Sequence, residues 1–221
     1  MSVQMSESTE MYLKAMVELG QGDKVAVGRL ADRLGVTNVS ANEMVHRLTE
    51  QGLVAHTPYK GVELTQSGQA VACSVLRRQR LWECFLYEYL KIEWAKLYEL
   101  ACGLEHATAP EVTEALAVFL GNPKFCPRGN PIPSADGSFT PLNGTLLREV
   151  PVGATVRVLA VNATRTELLR YLQDRNIMPE KEMTIVEAAP MEGPLVLRVG
   201  EQDVALGLRL AEFVIVEVLG G

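Results

Sequence analysis

The chain has 221 residues, 48% of them hydrophobic, and a formal net charge of −6. That length suffices for two or three small domains with their own cores. A mean hydropathy of +0.08, with no apolar run near about eighteen residues, excludes a transmembrane helix. The acidic balance counts mildly against a nucleic-acid binder, because most carry a basic patch. Residues 1–73 hold six Lys/Arg against eight Asp/Glu, so any contact with DNA must come from a local patch.

The opening segment MSVQMSESTEMYL has neither the basic stretch nor the apolar core of a secretory leader, so the protein is expected to stay in the cytoplasm. Its four cysteines, Cys73, Cys84, Cys102 and Cys126, show no framework spacing and no C-x-x-C pair. In a reducing compartment they are expected as free thiols.

Ser6 to Leu19 predicts a first helix, with Ser6 or Ser8 as N-cap and Gly20-Gln21-Gly22-Asp23 ending it. Val27 to Leu34 predicts a second, short helix with Leu30, Ala31 and Leu34 on one side. Gly35-Val36-Thr37 forms a tight turn, and Thr37 or Asn38 caps a third helix running to about Gln51, with Val39, Met44, Val45 and Leu48 apolar. Gly52 stops it. Residues 53–56 and 62–65 then read as two short strands joined by the turn Thr57-Pro58-Tyr59-Lys60-Gly61. Helix, helix, turn, helix and a two-stranded wing predict a winged helix-turn-helix in preference to an unspecified small α+β domain. Ala31 and Gly35 are small where two helices must cross closely.

A long helix is predicted over Gln66 to Tyr89, with Thr65 as N-cap. Its second half carries Leu81, Trp82, Phe85 and Leu86, an apolar and aromatic face that suits either a core or a dimer seam. Trp94 to Thr108 reads as the next helix. Thr108-x-x-Glu111 reads as a capping box for another from Ala109 to Leu120, closed by Gly121-Asn122-Pro123. Phe125 to Leu146 holds four prolines and three glycines among few apolar residues, the composition of a tether rather than a core element. Beyond it, Thr155–Val161, Glu182–Ala188, Leu195–Val199, Asp203–Ala205 and Val214–Leu219 read as strands, with Thr164-x-x-Glu167 capping a short helix to about Asp174. Five short strands around one helix suggest a small SH3-like barrel. The fold class expected is mostly α with a small β part: a winged helix-turn-helix at 1–73, a helical domain at 74–124, a Pro/Gly-rich linker at 125–147 and the SH3-like β-barrel at 148–221.

Within the segment 94–108, Cys102, Glu105 and His106 stand at i, i+3 and i+4, so their side chains leave one helical face. A thiolate, a carboxylate and an imidazole together suit a divalent transition metal such as Fe, Mn, Co, Ni or Zn better than Mg or Ca, which prefer all-oxygen cages. Alone the triplet is weak, since three such residues on a helix are more often ordinary core and surface positions. A hydrolase built on Cys102 and His106 is disfavoured: no oxyanion glycine motif is near, and a nucleophile in mid-helix is poorly presented. No enzyme, and so no catalytic residue or small-molecule substrate, is expected.

Several stretches together resemble the DtxR/MntR-type metal-dependent transcriptional repressors, the iron-dependent repressor family. They are Thr9-Glu10-Met11-Tyr12-Leu13, the helix-turn-helix with Arg47 and Gly52-Leu53, and Glu63-Leu64-Thr65-x-x-Gly68. Arg78-x-Arg80-Leu81, the Cys102-x-x-Glu105-His106 triplet and Gly129-Asn130-Pro131-Ile132-Pro133 continue the match. The C-terminal part is similar to the family's SH3-like, FeoA-type domain. The resemblance implies a homodimer on a palindromic double-stranded DNA operator, with 74–124 as dimerisation and metal-binding domain and no membrane partner. It also implies a primary metal position at Met11, Cys102, Glu105 and His106. Met and Cys in that set resemble the iron-responsive branch, so Fe(II) is expected, with Mn(II) as the alternative and Co(II), Ni(II) or Zn(II) as substitutes in vitro. A redox-sensing relative, in which Cys102 oxidises and metal is incidental, is a further alternative. The ancillary metal position departs from the family. Gln79 and Tyr98 stand where histidines are usual, and only Glu83 is retained, as a weak ligand at most. Arg165 and Leu168 stand where the iron branch often adds a Glu and a Gln.

For DNA contact, the small polar residues Thr37, Asn38, Ser40 and Asn42 near the start of the recognition helix are the candidates to reach phosphates or base edges. Capping is the plain alternative for Thr37 and Asn38. Glu43 either accepts from a cytosine amino group or points away. Tyr59 and Lys60 at the wing tip suit backbone contact.

Overall fold

A computed structural model describes residues 5–20, 23–58, 60–138 and 142–220. Their contacts fall into two compact units, Met1–Arg78 with Pro133–Phe139, and Gln79–Ile132 with Thr140–Gly221.

The first unit opens with α1 (Glu7–Gly20). The Ser6 hydroxyl accepts from the Thr9 amide at 3.3 Å, and Glu7 and Glu10 sit in the first turn, where the helix dipole favours negative charge. α2 (Val27–Leu34) ends at Gly35, whose φ of +68° lets its N–H turn back to the Ala31 carbonyl, the left-handed cap that glycine adopts without cost. α3 (Asn38–Glu50) starts under Thr37, which accepts from the Ser40 amide. Its buried residues are Ala41, Val45 and Leu48, spaced four and three apart, so one stripe faces the core. Asn38, Ser40, Asn42, Glu43, His46 and Arg47 stay exposed.

The wing is an antiparallel pair, β1 (Val54–Thr57) with β2 (Gly61–Leu64). Val25 adds a bridge to Val62. Helix α4 (Gln66–Glu88) begins under Thr65, whose hydroxyl accepts from the Gly68 amide at 3.1 Å and donates to the Gly52 carbonyl at 2.7 Å. A Cβ at Gly68 would stand 1.9 Å from the Leu53 carbonyl oxygen, so only glycine lets this helix lie against the chain entering the wing. The core joins Leu13, Met16, Leu30, Val45, Leu48, Val62, Ala72 and Leu76. This is the winged helix-turn-helix expected.

The second unit starts within α4 at Gln79. Trp94–Lys96 form a single 3-10 turn, and α5 (Leu97–Glu105) follows, where one continuous helix was expected. The turn is pinned from outside: the Trp94 indole donates to the Pro127 carbonyl at 2.8 Å, and the Gln173 side-chain oxygen accepts from the Ala95 amide at 3.1 Å. α6 (Pro110–Phe119) has Pro at its start and no side-chain cap, so the capping box expected at Thr108 does not form. The Thr108 hydroxyl instead donates to the Leu104 carbonyl and accepts from the Trp82 indole. Phe85 stacks on Tyr89 at 5.6 Å, and Tyr89 meets Phe119 at 4.8 Å. Tyr89, Leu90, Val118 and Phe119 are exposed and form an apolar aromatic face.

The Pro/Gly-rich segment is only partly a tether. Cys126, Arg128, Asn130 and Ile132 are buried, because Asn130 and Arg128 hydrogen-bond to the β-domain and Arg80 donates to the Pro131 carbonyl. Composition registers the scarcity of apolar side chains and not these polar anchors.

The C-terminal sheet comprises β3 (Thr145–Leu146), β4 (Thr155–Val161), β5 (Glu182–Ala188), β6 (Leu195–Val199), β7 (Gln202–Leu206) and β8 (Val214–Gly220), in the order β3-β8-β4-β5-β6-β7. Short helices α7 (Thr166–Asp174) and α8 (Leu208–Ala211) complete it. The SH3-like domain expected is therefore present, with a sixth strand supplied by the end of the linker, and as an open sheet: among the described residues no ladder joins β7 to β3. α7 starts behind Arg165 without the expected Thr164 cap. Trp94, Leu97, Tyr98 and Ala101 enter the same core as Val158, Leu169, Leu172, Ile185 and Leu197, so helices and sheet share one interior.

Candidate metal centre

The last turn of α5 gathers the donor set. Cys102 is half-buried, Glu105 is the helix's final residue and fully buried, and His106 is its C-cap. Sγ, a carboxylate oxygen and an imidazole nitrogen from the three lie within 4.8 Å of one another. Cys102 Sγ is 3.7 Å from Glu105 Oε1, which is 3.3 Å from His106 Nε2. A tetrahedral ion with bonds of about 2.0–2.3 Å separates its ligands by about 3.3–3.8 Å. The Cys102–Glu105 and Glu105–His106 pairs thus stand at coordination spacing, and the mixed softness of the three donors fits a divalent transition metal. The C-terminal end of a helix carries partial negative charge, which also favours a cation. Met11 lies half-buried on α1, in the other unit.

The positions expected to form an ancillary site come together around a different cation. Glu83 is fully buried, and its carboxylate accepts from Arg128 Nη2 at 2.8 Å and from Nε at 3.2 Å to each oxygen. Gln79 donates to the same carboxylate at 3.3 Å, and the guanidinium lies 4.8 Å from the Tyr98 ring centroid. The Glu83 oxygens already face a positive charge, which counts against the weak ligand role expected for it. Arg165, which stands where the iron branch often adds a Glu, is exposed and pairs with Glu167 at 3.5 Å. Arg128 escaped the sequence reading because it sits in a segment read as tether. Its signal was a retained carboxylate at position 83 that had lost its imidazole neighbours and still needed a cation.

Of the DNA candidates, Asn38, Ser40, Asn42 and Lys60 are exposed on α3 and the wing. Thr37 and Ser40 share a hydroxyl hydrogen bond at 3.0 Å, and the Asn42 amide donates to the Asn38 carbonyl at 2.7 Å, so Thr37 serves as a cap. Tyr59 lies outside the described residues.

The other thiols contrast with Cys102. Burial, followed by the charge of Glu83, pushes Cys126 up to about 12, and burial pushes Cys84 up further. At neutral pH Cys126 and Cys84 are therefore held as thiols. A maleimide is expected to modify Cys102 at least about 10-fold faster than Cys73, Cys84 or Cys126 in native metal-free protein, and Co(II) is expected to protect it. Peptide mapping after timed labelling checks this; equal labelling with and without Co(II) would detach Cys102 from the metal.

Comparison with known proteins agrees along nearly the whole chain. Residues 4–62 match the iron dependent repressor N-terminal DNA-binding domain, residues 65–134 the iron dependent repressor metal-binding and dimerisation domain, and residues 145–218 the FeoA domain. The iron-dependent repressor IdeR of Mycobacterium tuberculosis is 30% identical over 224 aligned positions, covering 96% of this chain and 97% of that protein. The diphtheria toxin repressor of Corynebacterium diphtheriae is 29% identical, with 96% and 98% covered. Among solved structures, a manganese-dependent transcriptional repressor in complex with manganese superposes with a TM-score of 0.84 at 30% identity, over 96% of this chain and all of that one.

Proposed function

The chain belongs to the iron-dependent repressor family of metal-dependent transcriptional regulators, and from that membership we propose that it is a cytoplasmic repressor. It binds a palindromic operator as a homodimer when loaded with a divalent transition metal, Fe(II) first, and controls metal homeostasis. The observation that carries this reading is the Cys102–Glu105–His106 cluster, whose donor atoms lie within 4.8 Å of one another.

Cys102, Glu105 and His106 would hold the ion, with the thioether of Met11 as a fourth donor from α1. When bound, the ion supplies positive charge to a thiolate and a carboxylate. Cys102 must lose its Sγ proton and His106 must present a neutral nitrogen, so binding is linked to proton release. The exposed start of α3, with Asn38, Ser40 and Asn42, offers hydrogen bonds to phosphates and base edges, and Thr37 fixes the first turn. Lys60 at the wing adds a backbone contact, as does Tyr59. The exposed face of Tyr89, Leu90, Val118 and Phe119 suits the dimer seam, which spaces two recognition helices about 34 Å apart for half-sites one turn apart.

Mn(II) is the second reading, favoured by the fully buried Glu105 carboxylate and by the likeness to a manganese-dependent repressor. An anaerobic metal-by-metal titration, on palindromic DNA selected by the loaded protein, separates the two. Half-saturation at lower free Fe(II) than Mn(II) is expected, because thiolate and thioether are softer donors than carboxylates. The reverse order would assign the chain to manganese.

A further inference from the structure

We propose that Arg128 is a built-in cation: its guanidinium occupies the position where the resemblance puts a second metal ion, and it latches the SH3-like domain to the helices without metal. The identification of that position rests on the family reading, whereas the latch rests on geometry alone.

Of the three residues at the ancillary positions, Glu83 and Tyr98 contact one side chain, Arg128, and Gln79 donates to Glu83. Arg128 is 1% exposed and Glu83 fully buried. Of the five N–H donors of a guanidinium, at least four are engaged. Nε and one Nη2 donor go to Glu83. Nη1 donates to the carbonyls of Val161 at 3.2 Å and Ala163 at 3.1 Å. The Tyr98 ring packs on the guanidinium, an arrangement that favours a cation. One side chain thus ties α4 and α5 to the end of β4.

The backbone repeats the tie. The Val161 amide donates to the Arg128 carbonyl at 2.9 Å, and the Asn130 side chain donates to the Val161 carbonyl at 3.2 Å. Gly129 has φ +81°, and a Cβ there would stand 1.8 Å from the Leu159 carbonyl oxygen, so the loop can lie on β4 only with glycine at this place.

A divalent ion does not fit these residues. The carboxylate is already neutralised, Gln79 and Tyr98 bring no negative charge, and a second cation beside the guanidinium meets repulsion in a medium where charges are poorly screened. The metal response of this chain therefore runs through one ion per chain, and the seam between helices and sheet is set in the metal-free protein.

Hydrogen exchange and metal counting on the full-length protein test this, with Co(II) as the probe under anaerobic conditions. In metal-free wild type, the amides of Cys126, Gly129 and Val161 are expected to exchange slowly, at rates that chelator and Co(II) change less than about 3-fold. Arg128→Met is expected to raise them at least about 10-fold, because it leaves Glu83 buried without its cation. Glu83→Gln combined with Arg128→Met, which removes both charges, is expected to restore part of the protection. If Arg128→Met does not fold, Arg128→Lys makes the same comparison with the charge kept and the fork lost. Calorimetry is expected to find one Co(II) per chain. Protection at Val161 that appears only with metal, wild-type exchange in the Arg128 variants, or a second Co(II) lost on Glu83→Gln would each overturn the proposal. Failure of the family reading looks different: no Co(II) bound, or binding that survives loss of Cys102, with Val161 protection intact.

Discussion

Chelating the metal is expected to weaken binding to the selected palindrome by about 5- to 150-fold at fixed ionic strength, the range of a coupling of about 1–3 kcal/mol between two sites. The direction follows from charge. Non-specific attraction to DNA comes mainly from basic side chains that replace counterions on the phosphates. Residues 1–73 carry more acidic than basic groups, and the exposed start of α3 offers amides and a hydroxyl rather than a cationic row. One such surface binds weakly, so useful affinity needs two, held at the spacing of two half-sites. A metal ion that binds one arrangement of the chain better than another stabilises that arrangement and draws on the same free energy when DNA selects it. The measurement is fluorescence anisotropy of labelled palindrome with and without chelator. Equal affinities would mean that the winged domains are positioned without metal and that the cluster at Cys102 has another purpose.

Most of the scaffold behind this prediction was legible in the residues, for identifiable reasons. α2, β4, β5 and β6 were expected at the boundaries observed, because their periodicity is clean and Gly or Pro punctuates their ends. Thr37 and Thr65 cap the helices they were expected to cap, since an N-cap is decided within four residues. What failed was decided by distant partners. The break at Trp94–Lys96 depends on Pro127 and Gln173, and Thr108 abandons its capping box for Leu104 and Trp82. Arg165, at a position where the iron branch often adds a Glu, pairs with Glu167, while Arg128 reaches Glu83 from 45 residues away in the chain. The triplet at 102, 105 and 106 was readable because one helical turn brings its members together. No local rule links it to Met11, which enters through the resemblance alone.

Replacing the thiol is expected to have the second large effect. Cys102→Ala should raise the free Fe(II) or Co(II) needed for half-maximal DNA binding by at least about 10-fold, or about 1.4 kcal/mol. Thiolate is the softest donor in the set, and its loss leaves one carboxylate, one imidazole and a weak thioether. The fold should be untouched, since Cys102 is small and half-buried, and a buried cluster such as Leu97, Tyr98 and Ala101 carries the packing of α5. An unchanged far-ultraviolet spectrum and melting midpoint in metal-free protein check that premise. Cys102→Glu should behave differently from Cys102→Ala: a second carboxylate beside Glu105 makes the set harder and should shift preference toward Mn(II). The ratio of half-saturating Fe(II) to Mn(II) in wild type, Cys102→Ala and Cys102→Glu therefore reads donor softness directly and is insensitive to general weakening of DNA binding. If Cys102→Ala keeps the wild-type Fe(II) midpoint, the thiol is a packing residue, and selectivity must come from Glu105, His106 and Met11. If both variants lose all response while remaining folded, softness is not what Cys102 contributes, and its role reduces to completing the coordination number.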